Sequence, residues 1–180
     1  MSDINVLALV GSLRAASVNR QVAEVAAENA PDGISVRLYE GLGDIPFYNE
    51  EIDGAGAPAA ATKLREAIAE ADAVLVVTPE YNGSIPAVVK NAVDWLSRPY
   101  GNSVLAGKPL AVIGAAGGQY GGVWAQDETR KSFGIASAHV VDAVALAVPI
   151  SSLDGKHPRE NADLVADLDD VLRKLAAEVG

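Results

Sequence analysis

The sequence predicts an α/β fold in which helices cover both faces of a parallel sheet. Short apolar runs rich in β-branched residues alternate with longer amphipathic stretches, which is the pattern of successive βαβ units. The chain has 180 residues, of which 49% are hydrophobic and 21% charged, a composition typical of a globular protein with a substantial core. We therefore expect residues 1–180 to form a single domain.

About five strands are predicted, each from one apolar run. The first, Ile4 to Val10, and the third, Ala73 to Thr78, are apolar almost throughout, so we expect both to be buried on both faces of the sheet. The second strand is predicted at Ile34 to Tyr39 and the fourth at Leu110 to Ala115. A fifth is expected within Ala138 to Val148.

Five helices are predicted between and after these strands, at Asn19 to Asn29, Pro58 to Ala71, Pro86 to Ser97, Gly122 to Gly134 and Asn161 to Glu178. The last of them carries leucine and valine at helical spacing. Strands and helices that alternate in this way fit a flavodoxin-like fold with strand order 2-1-3-4-5. In that order ligands bind beyond the carboxyl ends of the first and third strands.

Composition argues against several functional classes. The net charge of −10 disfavours nucleic-acid binding, which needs clustered lysine and arginine. There is no cysteine, and the two histidines are isolated, so neither a thiol nor a histidine-rich metal site is expected. No apolar run approaches the roughly 18 residues of a membrane span, and the start lacks the features of a signal peptide. We expect a cytoplasmic protein without membrane insertion.

The loop after the first strand, Gly11 to Arg20, collects hydrogen-bond donors where a helix begins. Ser12, Ser17 and Asn19 offer neutral donors, and Arg14 offers a guanidinium group. The amides at a helix N-terminus also favour an anion, so this loop predicts a site for a terminal phosphate monoester. The alternative is that Ser17 or Asn19 only caps the helix while Arg14 is a solvated surface charge.

The loop after the third strand, Thr78 to Pro86, has the features of a stiff platform. Pro79 fixes one φ angle and Gly83 permits a positive one. Tyr81 presents an aromatic body with a polar tip, and the amides from Glu80 to Asn82 are available to ring acceptors. The loop therefore suits a planar heteroaromatic ligand. The alternative is a helix-capping turn in which Tyr81 fills the core.

Two long motifs at these loops, GSLRAASVNR and TPEYNGSIPAVVKNAVDWLSRP, resemble the NAD(P)H-dependent FMN reductase family, which includes bacterial quinone, azo and chromate reductases. The segment YEGLGDIPFYNEEID and the glycine-rich stretch from Gly114 to Gly122 are also similar to that family. The resemblance implies a flavodoxin-like fold, tightly bound FMN and NAD(P)H as cosubstrate. It also implies a homodimer or homotetramer with flavins near the subunit interfaces.

The resemblance assigns residues to the parts of FMN. The phosphate would be held by Ser12, Arg14, Ser17 and Asn19, and the ribityl chain and ring would be lined by Pro79, Glu80, Tyr81, Asn82 and Gly83. The backbone amides of Gly117 and Gly118 are expected to reach the pyrimidine edge, because glycine allows close approach. Relatives often carry serine near Ala116, so a hydroxyl contact to the flavin is missing here. The alternative for this third loop is a flexible turn before a helix.

By the resemblance and by the chemistry of the cofactor, the activity is a ping-pong oxidation of NAD(P)H. Hydride passes through FMN N5 to quinones or to similar acceptors such as azo compounds, chromate or free flavin. This chemistry requires no acid or base from the protein, so no catalytic residue is predicted. One alternative is a non-enzymatic FMN electron carrier, which the acidic charge would suit although its phosphate loop is usually rich in threonine and glycine. The other is a flavin-dependent regulatory or interaction protein.

The stretch from Gly41 to Gly56 is longer than most connections between elements, which predicts a functional lid. Phe47 and Tyr48 would then cover the substrate or a partner subunit.

Overall fold

The central sheet has six parallel strands in the computed structural model, which describes residues 3–54 and 56–180. The strands are β1 (Ile4–Val10), β2 (Ile34–Leu38), β3 (Ala73–Val77), β4 (Pro109–Ala116), β5 (His139–Val140) and β6 (Leu146–Pro149). The order is β2-β1-β3-β4-β5, and β6 also pairs with β4. The predicted flavodoxin-like order is confirmed.

The predicted fifth strand is present in two pieces. β5 pairs only with the first two residues of β4, whereas β6 pairs with Ile113 to Ala116 further along the same strand. Between the two pieces, the backbone N–H of Val144 donates to the carbonyl of Val141 in a turn, so this stretch leaves the ladder. The sheet therefore gains a sixth strand without a change of order.

All five predicted helices are present, and their ends lie within two residues of the expected ones. They are α1 (Val18–Glu28), α2 (Ala59–Glu70), α3 (Ala87–Leu96), α4 (Val123–Ile135) and α5 (Ala162–Ala176). α1 and α5 pack on one face of the sheet, while α2, α3 and α4 pack on the other. None of the described helices is both long enough and apolar enough to cross a membrane.

β1 shows why the central strands are apolar on both sides. Val6, Ala8 and Val10 belong to the core beneath α1 and α5. Leu7 and Leu9 point the other way, into the core beneath α2 and α3, because successive side chains alternate along a strand. All five residues are buried, as expected for β1. The carboxyl ends of these strands are consequently held in place by packing on two sides.

The described part of the predicted lid is attached to α3. The backbone N–H of Tyr48 donates to Asn91 Oδ1 at 2.9 Å, and the Tyr48 ring meets Trp95 edge-on with 5.0 Å between ring centroids. Phe47, by contrast, is 79% exposed. Tyr48 is therefore fixed against the protein, and Phe47 is the aromatic side chain of this pair that a substrate or partner can reach. The lid itself stays a prediction.

An ion pair anchors the far end of the same segment. Nη1 and Nη2 of Arg65 each donate to the carboxylate of Asp53 at 2.8 Å, and Nε and Nη2 also donate to the Trp95 carbonyl. Hydrogen bonding to Arg65 lowers the pKa of Asp53, and burial opposes this shift only in part. The pair is mostly buried, so removing one partner would leave the other charge poorly solvated and uncompensated.

Candidate functional site

The end of β4 packs closely against the end of β3, and the start of the loop after β1 packs against α3 and Pro79. A Cβ atom added at Gly114 would lie 2.0 Å from the Thr78 carbonyl oxygen, and one at Gly11 would lie 2.6 Å from Val89 Cγ2. The amide of Gly11 also donates to the Val77 carbonyl at 2.9 Å. Glycine at these two positions lets the loops after β1, β3 and β4 begin next to one another. The structure thus brings together the loops that the sequence predicts to share a ligand.

The first loop runs from Gly11 to the start of α1. Ser17 is the N-cap of α1 and its hydroxyl oxygen accepts from the Arg20 amide at 3.4 Å, so the expected capping role is present. Because the oxygen only accepts in that contact, the hydroxyl hydrogen remains a donor. Ser12 is half-buried and Arg14 is exposed. Capping and anion binding by this loop are therefore compatible.

A cavity of about 320 Å³ opens beside the first loop. Its polar lining includes Ser12, Arg14, Arg20, Tyr39 and Glu40. The guanidinium of Arg20 bonds to Glu40, and this lowers the pKa of the Glu40 carboxyl and raises that of Arg20. Among the ion pairs of residues 3–54 and 56–180, none includes Arg14. Arg14 is consequently the cation of this cavity whose charge is available to an anion.

Asn19 is buried and its side-chain amide binds the end of β4. Nδ2 donates to the Ala115 carbonyl and Oδ1 accepts from the Ala115 amide, both at 2.8 Å. One Nδ2 hydrogen remains for any contact with a phosphate. The structure therefore gives Asn19 a second role, that of holding the first turn of α1 against β4.

The second loop is a tight hairpin turn. Tyr81 and Ser84 exchange backbone hydrogen bonds of 3.2 and 3.0 Å, and Asn82 and Gly83 between them have φ angles of 53° and 70°. These values define a type I′ turn, for which Asn-Gly is a preferred sequence. The positive φ expected at Gly83 is confirmed. The Tyr81 amide is engaged within the turn, and the Tyr81 ring is 48% exposed rather than buried in the core.

Carboxylates bind this hairpin to α4. Glu80 Oε2 accepts from the Ala125 amide at 3.1 Å, in the first turn of the helix. Glu128 accepts from the Ser84 hydroxyl and the Ile85 amide, and these bonds lower the pKa of Glu128. The Glu80 side chain therefore faces α4, and its backbone is what remains for a ligand. Buried Pro79 begins the loop.

The third loop ends at α4 and is open where the sequence predicts contact with a flavin. Gly117 and Gly118 are exposed, and a Cβ atom at either would have no neighbour within 4 Å. Gly122 closes the loop, with its φ of 89° and an added Cβ 3.5 Å from Glu80 Cβ. The third loop thus lies next to the second.

Two aromatic residues at this edge were not expected from the sequence. Tyr120 and Trp124 pack against each other with ring centroids 5.8 Å apart, and both are more than half exposed. Their spacing of four residues across the start of α4 is the pattern that could have indicated them.

The family was identified by comparison with known proteins. A family model described as NADPH-dependent FMN reductase matches residues 4–152, which is well over half of the chain. The chain belongs to the NADPH-dependent FMN reductase family. FMN and NAD(P)H are accordingly the cofactor and the reductant of this enzyme, as the two loop motifs suggested.

Individual relatives agree with this family. A quinone reductase from Pseudomonas putida is 45% identical over 133 residues, or 73% of this chain and 71% of the relative. An NAD(P)H-dependent FMN reductase from Pseudomonas aeruginosa is 42% identical over 137 residues, or 76% of this chain and 73% of the relative. In structure, the chain is similar to FerB, a flavoenzyme NAD(P)H:(acceptor) oxidoreductase from Paracoccus denitrificans. The TM-score is 0.83 at 31% identity, with 97% of this chain and 98% of FerB covered.

The residues of this FMN reductase fit the chemistry of the cofactor. A phosphate monoester needs several donors and a cation, which Ser12, Ser17, Arg14 and the free amides of the first α1 turn can provide. A flat ring with a polar edge needs a rigid platform and close backbone approach. The type I′ turn and the open stretch at Gly117 and Gly118 offer both.

Proposed function

We propose that this protein is a two-electron reductase of quinones and similar acceptors, which include azo compounds, chromate and free flavin. The overall reaction is NAD(P)H + H⁺ + quinone → NAD(P)⁺ + hydroquinone. It moves two electrons and one hydrogen from the nicotinamide and takes one proton from solvent. The observation that carries the proposal is the meeting of a loop rich in hydrogen-bond donors and a tight hairpin at the ends of β1 and β3.

FMN, when bound, supplies a two-electron relay between nicotinamide and acceptor. The protein's part is to hold it. We assign the phosphate to Ser12, Arg14, Ser17 and the α1 amides, with the remaining Nδ2 hydrogen of Asn19. Charge-assisted bonds from Arg14 would be the strongest of these contacts.

We assign the ribityl chain and ring to the second and third loops. The lining residues are Pro79, Glu80, Tyr81, Asn82 and Gly83, with the amides of Gly117 and Gly118 at the pyrimidine edge. Because the Tyr81 amide is engaged in the turn, backbone donation from this hairpin falls to Glu80 and Asn82. We further propose that NAD(P)H and the acceptor use the same open face in turn, so the kinetics are ping-pong. The protein would act in the cytoplasm as a homodimer or homotetramer.

The test begins with the absorbance spectrum of the purified protein and continues with an FMN titration of the cofactor-free form. Arg14→Ala is expected to weaken FMN binding by about 1.5–3 kcal/mol, or about ten- to a hundredfold. Arg173→Ala is the matched control, because Arg173 is an exposed arginine near the C-terminal end of α5 and is paired with Asp169. Equal affinity in Arg14→Ala and wild type would remove Arg14 from the phosphate site.

Turnover is then measured with NADH and NADPH against a benzoquinone. Parallel lines in double-reciprocal plots are expected, and intersecting lines would contradict the ping-pong order. Slow NAD(P)H oxidation with rapid exchange to a ferredoxin-type protein would instead indicate an electron carrier. A change in partner binding that does not depend on NAD(P)H would indicate a regulatory protein. A colourless protein that takes up no FMN would refute the whole proposal.

A further inference from the structure

Tyr120 and Trp124 form an exposed aromatic surface at the edge of the candidate site, which we call the aromatic wall. Their side chains are 57% and 54% exposed, and their rings meet at an interplanar angle of 62°. Trp124 Cε3 lies 3.8 Å from the position of a Cβ on Gly83, so the wall contacts the tip of the second loop. Tyr120 itself lies within the third loop. The wall therefore stands beside both loops that we assign to the flavin ring.

The position of the wall is fixed relative to the hairpin. Glu80 and Glu128 hold the start of α4 to the second loop through the Ala125 amide, the Ser84 hydroxyl and the Ile85 amide. Since Trp124 lies in the same helical turn as Ala125, these bonds also orient its backbone. The rings are thus presented to solvent by a rigid support, which lowers the entropy lost when a ligand binds.

Charged residues of both signs follow the wall on α4, and Lys131 is close enough to Glu128 to influence its pKa. Asp127 and Glu128 lie three and four residues after Trp124 and are exposed, and Asp127 is paired with Arg130 at 3.0 Å. Two hydrogen bonds to its carboxylate lower the pKa of Glu128, so it remains ionised at neutral pH. With a net charge of −10 for the chain, an acceptor ring that carries an anionic group is disfavoured against the wall. Aromatic faces next to carboxylates suit a flat ligand without negative charge.

We propose that the aromatic wall binds the ring of an uncharged quinone-type acceptor and sets the preference of the enzyme for such acceptors. This inference rests on the proposed function, because it names the residues that hold its acceptor. The wall binds the quinone but takes no part in the electron transfer. An uncharged quinone offers no ion to recognise, so its affinity depends on apolar area and on ring-to-ring contact.

The kinetic test compares Trp124→Ala and Tyr120→Ala with Trp124→Phe, which retains an aromatic ring. For 2-methyl-1,4-naphthoquinone, each alanine variant is expected to raise KM about five- to tenfold with little change in kcat, the scale of one lost aromatic contact. Trp124→Phe should stay close to wild type. KM for ferricyanide, which has no ring to stack, should not change. In wild type, the same naphthoquinone carrying a sulfonate should have a higher KM at low salt, and the gap should narrow as salt screens the carboxylates.

A binding measurement tests the wall without turnover. The chain has two tryptophans, and Trp95 is fully buried whereas Trp124 is exposed. Adding the naphthoquinone to oxidised protein should therefore quench fluorescence with a saturable component. That component should weaken about five- to tenfold in Tyr120→Ala, which keeps both tryptophans, and disappear in Trp124→Phe.

Three results would overturn the inference. The first is an unchanged KM in both alanine variants together with unchanged quenching in Tyr120→Ala, and the second is an equal rise in KM for ferricyanide. The third is a shift of oligomeric state in Trp124→Ala with KM unaltered, which would make the wall a contact with a second copy of the chain. If none of the acceptors supports NAD(P)H oxidation by wild type, the proposed function fails. The quenching titration still decides whether the wall binds a quinone.

Discussion

Replacing Asn19 by alanine should destabilise the protein far more than a surface asparagine would. The substitution leaves the buried N–H and carbonyl of Ala115 without partners, because each has a 2.8 Å bond to the Asn19 amide. An unpaired buried group costs about 1–3 kcal/mol, so the loss of both partners should cost about 2–6 kcal/mol. The lower end applies if a water molecule enters in place of the amide. Since domains of this kind are stable by about 5–15 kcal/mol, the effect is a large share of the total.

Urea unfolding of the cofactor-free protein measures this loss, with wild type and variant fitted to one denaturant slope. Asn29→Ala is the control, because Asn29 is an exposed residue at the other end of α1 whose side chain donates to the Val25 carbonyl at 2.8 Å. We expect Asn29→Ala to cost less than about 1 kcal/mol. If Asn19→Ala costs no more than Asn29→Ala, the reasoning about the buried pair is wrong. FMN binding by Asn19→Ala should also weaken, since the start of α1 loses its attachment to β4.

Three further predictions concern the hairpin, the strand ends and the anchoring ion pair. Tyr81→Ala should change the absorbance spectrum of bound FMN and the rate with quinone, and an identical spectrum and rate would count against the platform. Gly114→Ala should prevent folding or lower the unfolding midpoint sharply, because its Cβ would lie 2.0 Å from the Thr78 carbonyl oxygen; Gly117→Ala, which meets nothing within 4 Å, should leave that midpoint unchanged. Asp53→Asn should cost about 1.5–3 kcal/mol at neutral pH. Folding lowers the pKa of this carboxyl below 3.8. The difference in unfolding free energy between wild type and Asp53→Asn should therefore persist above pH 3.8 and shrink as the pH falls below it. A difference that does not change with pH would disprove the assigned ion pair.

Much of the fold could be predicted because its central strands and its helices have simple patterns. The bounds of β1 agree with those expected, and β3 begins as predicted and ends one residue earlier. The edge of the sheet was harder, since the run from Ala138 to Val148 is apolar but leaves the ladder in a turn near Val144. Periodicity does not show where pairing with a neighbouring strand stops.

The candidate site was predictable at the level of loops and less so at the level of single atoms. Topology places the loops after β1 and β3 together, and the Asn-Gly pair in the second loop favours the turn that the structure has. The roles of Asn19, Glu80 and Glu128 depend on partners about 44 to 96 residues away in the chain, which no local pattern encodes. Such long-range bonds explain why a predicted ligand residue can also be a structural one.

The divided strand at one border of the sheet bears on how copies of this protein can associate. β5 has two residues, and β6 has four and ends at Pro149, which lacks an amide hydrogen. An incoming chain would find no long row of unpaired backbone groups there with which to extend the sheet. At this border, self-association is therefore expected through side chains and not through extension of the sheet.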